Sequence, residues 1–141
     1  MVNIIYWSGT GNTEAMANAI AEGVAAAGGQ AKIIPVAQAS LSDLNADVVL
    51  FGCPAMGSEE LEEGEFEPFF ASAEGKLGGK KIGLFGSYEW AEGEWMRTWQ
   101  ARAEADGAVM LAEGLAVYGT PDEDGLEKCR ALGRLAANAS A

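Results

Sequence analysis

A chain of 141 residues that is 49% hydrophobic can build one well-formed core, and 21 acidic against 9 basic side chains give it a formal net charge of -12. That charge disfavours nucleic acid and anionic membrane, both of which bind through Lys and Arg contacts to phosphate, and it leaves basic proteins as partners. The absence of histidine removes the common zinc sites, the usual general base and the usual catalytic triad, which argues against a hydrolase.

Val2 to Trp7 is a continuous apolar run with β-branched and aromatic residues, the pattern of a strand buried on both faces. The chain starts directly on this run without the basic start, long apolar middle and small-residue cleavage site of an export signal, so a cytoplasmic location is expected. Residues 12 to 27 carry Met16, Ile20, Ala21 and Val24 at helical spacing, and Gly28-Gly29 stops the helix. "AKIIPV" at 31 to 36 is an edge strand, because Pro35 cannot donate to a ladder. A polar stretch with Ser40 and Asp43 predicts one short helical turn. "DVVLFGC" at 47 to 53 is a second fully buried strand, ended by Pro54.

Residues 65 to 74 predict a short helix with Phe66, Phe69 and Phe70 inward and Pro68 near its first turn. "KKIGLFGS" at 80 to 87 is the fourth strand, and 93 to 106 a helix with Trp95, Met96, Trp99 and Ala103 on one face. "AVML" and "LAVY", on either side of Glu113-Gly114, form a final strand broken by a bulge or turn. Asp122 to Asn138 is a last helix with Leu126, Cys129, Leu132, Leu135 and Ala136 as its stripe and acidic residues at its start. The two cysteines, Cys53 and Cys129, have no metal-ligand spacing and are expected to be reduced, packed thiols. The whole of residues 1–141 is expected to be one α/β domain, an open five-stranded parallel sheet with helices on both faces. Ligands of such sheets bind beyond the carboxyl ends of the strands.

Three loops lie at that edge. In the first, Ser8-Gly9-Thr10-Gly11-Asn12-Thr13, glycines free the backbone amides, hydroxyl and amide side chains add neutral donors, and a helix N-terminus follows. The pattern is that of a phosphate loop without a cation, and the alternative is a glycine-rich strand-to-helix turn whose hydroxyls only cap the helix. A dinucleotide fingerprint needs glycine where Glu14 stands, and a Walker loop needs a lysine that is absent. In the second, Pro54, Ala55, Met56, Gly57, Ser58 and Glu59 combine a tight turn around Gly57 with a methionine whose soft side chain suits a flat ring, although on the residue alone Met56 reads as ordinary core. Six glutamates between Glu59 and Glu67 form a charge run that is ordinarily a solvated face. In the third, Ser87, Tyr88, Glu89 and Trp90, the indole between acidic residues is a candidate lid, whereas Trp95 belongs to the core. A phosphoacceptor domain would need acidic residues where Trp7-Ser8 and Cys53-Pro54 stand. A cysteine phosphatase loop would need arginine where Glu59 stands.

Together, "YWSGTGNTEAMA", "GCPAMGSEELEE", "EPFF", "GKKIGLFGSY" and "GEWM" resemble the flavodoxins, specifically the short-chain flavodoxins of anaerobic bacteria, over nearly the whole chain. The resemblance implies strand order 2-1-3-4-5 and noncovalently bound flavin mononucleotide (FMN). Its phosphate would lie on Ser8, Gly9, Thr10, Gly11, Asn12 and Thr13, and its ring between Met56 and Trp90. The family's glycine at Gly57 turns its carbonyl toward flavin N5 in the semiquinone, and its carboxylate at Glu59 holds N3. Pro54, Ala55 and Ser58 complete that loop, and Ser87 with the backbone of Tyr88 and Glu89 shapes the phosphate and pyrimidine sides. Short-chain relatives typically carry glycine at the positions of Glu89 and Ala91, so the backbone donors to the flavin O2 side are expected to be rearranged here, and the charge of Glu89 is expected to lower the second reduction potential.

The implied function is a low-potential one-electron carrier, a monomer and not an enzyme, whose acidic flavin edge docks to low-potential oxidoreductases or ferredoxin-type partners. A small FMN-dependent quinone or nitro reductase is the alternative, and a flavin storage module a third reading. A two-electron enzyme would accumulate little radical.

Overall fold

Val2–Tyr6 (β1) and Val48–Gly52 (β3) are buried at every position, as strands covered on both faces demand; the one polar residue among them, Asn3, donates from Nδ2 to Asp43 O at 2.8 Å. They pair in parallel with Ile4 beside Leu50, and the computed structural model to which they belong describes residues 1–56, 60–89 and 92–140. Ala31–Pro35 (β2) pairs with β1 alone and forms one edge, consistent with its proline. Lys81–Tyr88 (β4) lies on the other side of β3. The expected final strand is two strands, Val109–Met110 (β5) and Leu115–Tyr118 (β6), both parallel to β4. β5 pairs with Lys81 and Ile82, and β6 with Phe85 to Tyr88. Between them the chain leaves the ladder, and the Gly114 N–H donates instead to Gln100 Oε1 at 2.8 Å. The order is β2-β1-β3-β4-β5, with β6 continuing beyond β5 on β4.

Alternate residues of the buried strands feed two cores. On one face Val2, Ile4, Leu50 and Phe85 meet Asn12–Ala26 (α1) and Glu123–Ser140 (α4) through Met16, Ile20, Val24, Cys129 and Leu132. On the other, Ile5, Phe51, Ile82 and Leu84 meet Phe66–Ala73 (α2) and Glu94–Ala105 (α3). There Phe66 and Phe70 each stand edge-on to Trp99, at 5.5 and 5.7 Å between ring centroids. Phe69 is only half-buried.

The α4 stripe differs from the expected one. Leu135 is 40% exposed, while Gly125, Cys129, Leu132, Gly133, Ala136 and Ala137 are buried. Small residues, not leucines, let α4 lie close on α1. The polar stretch before β3 is the expected short turn, Leu41–Asn45, with the Ser40 N–H donating to Asp43 Oδ2 at 2.8 Å in a capping box. Gly28 at φ 84° ends the first helix just past Ala27.

Because all strands run parallel, the segments after β1, β3 and β4 emerge at one edge. Backbone bonds lash them together there: Trp7 N–H to Gly52 O at 3.0 Å, Cys53 N–H to Phe85 O at 3.1 Å and Ala55 N–H to Ser87 O at 2.9 Å.

Candidate functional site

Gly11 takes the left-handed conformation, φ 95°, that turns the loop after β1 into α1, which is why glycine stands there. The Ser8 Oγ accepts the N–H groups of Gly11 at 3.1 Å and Glu14 at 3.3 Å, so its own proton remains to be donated. The amides of Asn12 and Thr13 have no partner among the described residues. Thr13 is 1% exposed, and its Oγ1 is buried without a hydrogen-bond partner among those residues. An orphaned buried hydroxyl costs about 1–3 kcal/mol, so this loop carries donors that no described residue satisfies. Gly9 packs on the Trp7 ring, where a Cβ would stand 2.9 Å from the indole edge.

The three loops converge on one cavity of about 220 Å³. Trp7, Gly9, Thr10 and Asn12 come from the first, Pro54, Ala55 and Met56 from the second, and Ser87, Tyr88 and Glu89 from the third. Among the described residues, no lysine or arginine lines it. The Met56 N–H donates to Glu60 O at 3.0 Å. Tyr88 is buttressed by Trp95 at 5.6 Å and by Tyr118, edge-on at 5.5 Å. Trp95 is core as expected, and its Nε1 donates to Cys53 O at 3.3 Å. The expected site residues Gly57, Ser58, Glu59 and Trp90 lie outside the described residues.

Part of the glutamate run has structural work that its composition conceals. Glu62 accepts three backbone N–H groups, from Gly64 at 2.7 Å, Glu65 at 2.7 Å and Phe66 at 2.9 Å, and so caps α2. Burial alone would raise its pKa, but the three amide bonds outweigh it and hold the carboxyl below the ordinary range. Glu67 and Glu74 together clasp Arg102. The sequence signal for the cap was present: a glutamate four residues before the first buried phenylalanine of α2. Burial pushes the Cys53 and Cys129 thiols up to about 12, which fits inert packing residues.

A second cavity of about 440 Å³ shares Trp7, Gly9 and Thr10 with the first and is also lined by Tyr6, Glu14, Val36 and Glu65. The Tyr6 hydroxyl donates to Glu14 Oε2 at 3.0 Å, and burial, then this bond, raise the phenol pKa.

The family model described as flavodoxin matches residues 4–133. The flavodoxin of Megasphaera elsdenii is 50% identical over 140 residues, covering 99% of this chain and all of that protein. The flavodoxin of Clostridium beijerinckii is 44% identical over 138 residues, covering 97% and 99%. The solution structure of the two-electron-reduced Megasphaera elsdenii flavodoxin superposes with a TM-score of 0.89 over 98% of this chain and 99% of that one. A glycine-rich loop with unpartnered donors at a helix start, a cleft at the carboxyl edge of a 2-1-3-4-5 sheet and relatives matched end to end converge on one conclusion: the chain belongs to the flavodoxin family, the FMN-binding electron carriers.

Proposed function

We propose that the residues gathered at the carboxyl edge hold FMN in the manner that the chain's own donors dictate. The carrying observation is the orphaned Thr13 Oγ1 beside the unpartnered amides of Asn12 and Thr13. These groups, with the Ser8 and Thr10 hydroxyls, would bind a phosphate dianion by neutral donors and a helix end. Met56 would lie against the ring, with Pro54 and Ala55 as the floor, and Ser87, Tyr88 and Glu89 would border the polar rim. Gly57, Ser58, Glu59 and Trp90 would complete the ring site. FMN, when bound, supplies two separable one-electron reductions.

The chain's contribution to those reductions is electrostatic. Among the described residues no cation lines the cleft to cancel the phosphate charge; Glu89 borders it, and exposed Glu60, Glu63, Glu65 and Glu92 lie on the segments that follow β3 and β4. Each carboxylate about 12 Å away, at an effective dielectric of about 40, disfavours an added electron by roughly 30 mV. Several together make a strong reductant.

The same glutamates would steer basic redox proteins, low-potential oxidoreductases or ferredoxin-type partners, to the flavin edge. The chain would work as a single-domain monomer in the cytoplasm. No helix among the described residues is long and apolar enough to cross a membrane.

Reconstitution of the apoprotein with FMN, followed by stepwise reductive titration, tests this reading. Two resolved one-electron steps, the second at low potential, are expected. Absence of a bound yellow chromophore, or a single two-electron step with rapid quinone turnover, would overturn it.

A further inference from the structure

The 440 Å³ cavity has space that a phosphate monoester does not need. It is larger than the 220 Å³ cleft, and because both are walled by Trp7, Gly9 and Thr10, a phosphate on the loop would border both. A group esterified to that phosphate would find room in the larger one. Among the described residues, the lining of the larger cavity includes Glu14 and Glu65 but no lysine or arginine.

Glu14 is unusually well fixed for an exposed residue in the first turn of a helix. Its carboxylate takes the hydroxyl of Tyr6, at 3.0 Å, and Tyr6 is 7% exposed at the end of β1. Its backbone N–H holds Ser8 Oγ at 3.3 Å, tying the same residue to the loop. A tethered carboxylate cannot swing away from a second anion as a free one would. Position 14 is also where a dinucleotide-binding loop carries its third glycine.

We propose that Glu14, held by Tyr6, is a specificity-determining residue that confines this site to a flavin monophosphate and rejects a flavin extended through a diphosphate. A terminal phosphate can be satisfied by the helix end and the neutral donors of the loop. A second phosphate in the adjoining cavity would meet two carboxylates with no compensating cation. The inference rests on reading residues 8 to 13 as the phosphate loop.

The test is titration of the apoprotein with FMN and with flavin adenine dinucleotide (FAD), followed by quenching of flavin fluorescence. Wild type is expected to prefer FMN strongly. Glu14→Gln, which keeps an acceptor for the Tyr6 hydroxyl, is expected to lower the ratio of the FAD Kd to the FMN Kd by about fivefold, the scale of one partly screened like-charge repulsion. Tyr6→Phe, which leaves the carboxylate untethered, should lower the ratio by a smaller factor. Inorganic pyrophosphate should likewise gain on orthophosphate as a competitor of FMN in Glu14→Gln. Failure of wild type to bind FMN would overturn the reading of the loop and this inference with it. FMN binding with an unchanged FAD-to-FMN ratio in both variants, or wild type that accepts FAD equally, would overturn this inference alone.

Discussion

Gly133 of α4 lies so close to the carbonyl oxygen of Ile20 in α1 that a Cβ at 133 would overlap it, and Gly23 stands in the same relation to the carbonyl of Arg130. The two helices therefore touch backbone to backbone. In an unconstrained helix interior, glycine to alanine stabilises by about 1 kcal/mol. Gly133→Ala is expected to reverse that sign and destabilise by about 1–3 kcal/mol, because the clash is with main chain that cannot rotate aside. Urea unfolding checks it, with Gly75→Ala as a control, since nothing stands within 4 Å of a Cβ at 75. Equal stability of the two variants would refute the account.

The cap that Glu62 places on α2 makes a pH-dependent prediction. Its folded pKa lies below the ordinary value of 4.5, so its contribution is fully present above that pH and is lost as pH falls through the depressed folded value. Glu62→Gln should be less stable than wild type by about 1 kcal/mol at neutral pH, with the gap closing below about pH 4.5. Thermal unfolding of both proteins across pH 3 to 7 reads this directly, and a gap that stayed constant would remove the charge from the explanation.

Arg102 offers a sharper comparison with lysine. Its guanidinium reaches both oxygens of Glu67 at 2.7 Å and those of Glu74 at 3.0 and 2.7 Å, and stands over the Phe70 ring at 5.0 Å. A lysine ammonium cannot reproduce two forked pairs and a stacking face at once. Arg102→Lys is expected to lose about 1–2 kcal/mol of stability by chemical denaturation, although the formal charge is kept. The reduction potentials should be almost unchanged.

The missing cation at the loop predicts a potential. Asn12→Lys should raise the second one-electron potential by roughly 30 mV or more in low salt, with the shift shrinking as ionic strength rises. Asp47→Asn supplies the control, because Asp47 pairs with the N-terminal ammonium at the opposite end of β1. Spectroelectrochemistry that found equal shifts for both variants would show that position relative to the loop does not matter.

Most of the architecture could be read from the chain because its central strands are written as largely apolar runs, and burial on both faces leaves such runs few alternatives. Val48–Gly52 is an example: every residue is buried, and every residue was apolar or glycine. The face of α4 was harder. Leucine spacing pointed to Leu135, but close approach rewards small residues, and Gly133 and Ala137 won that face. The gathering of the three loops followed from parallel strands and needed no local signal. The partners of Glu62 and Arg102 were hidden for a different reason. A run of glutamates looks alike whether a carboxylate faces water, an amide or a guanidinium 35 residues away, as Glu67 does.

The division of the last strand into β5 and β6 has an outcome for the protein in concentrated solution. An open sheet ordinarily presents at each margin a row of unused amides and carbonyls on which another chain can build. Here one margin is β2, five residues long, with Lys32 exposed and Pro35 as its last residue. The other is cut into pieces of two and four residues by the detour through Gly114. A foreign strand would find no template longer than about one turn of ladder before losing register. A shortened variant that fused β5 with β6 would present a longer edge and is expected to aggregate more readily on storage.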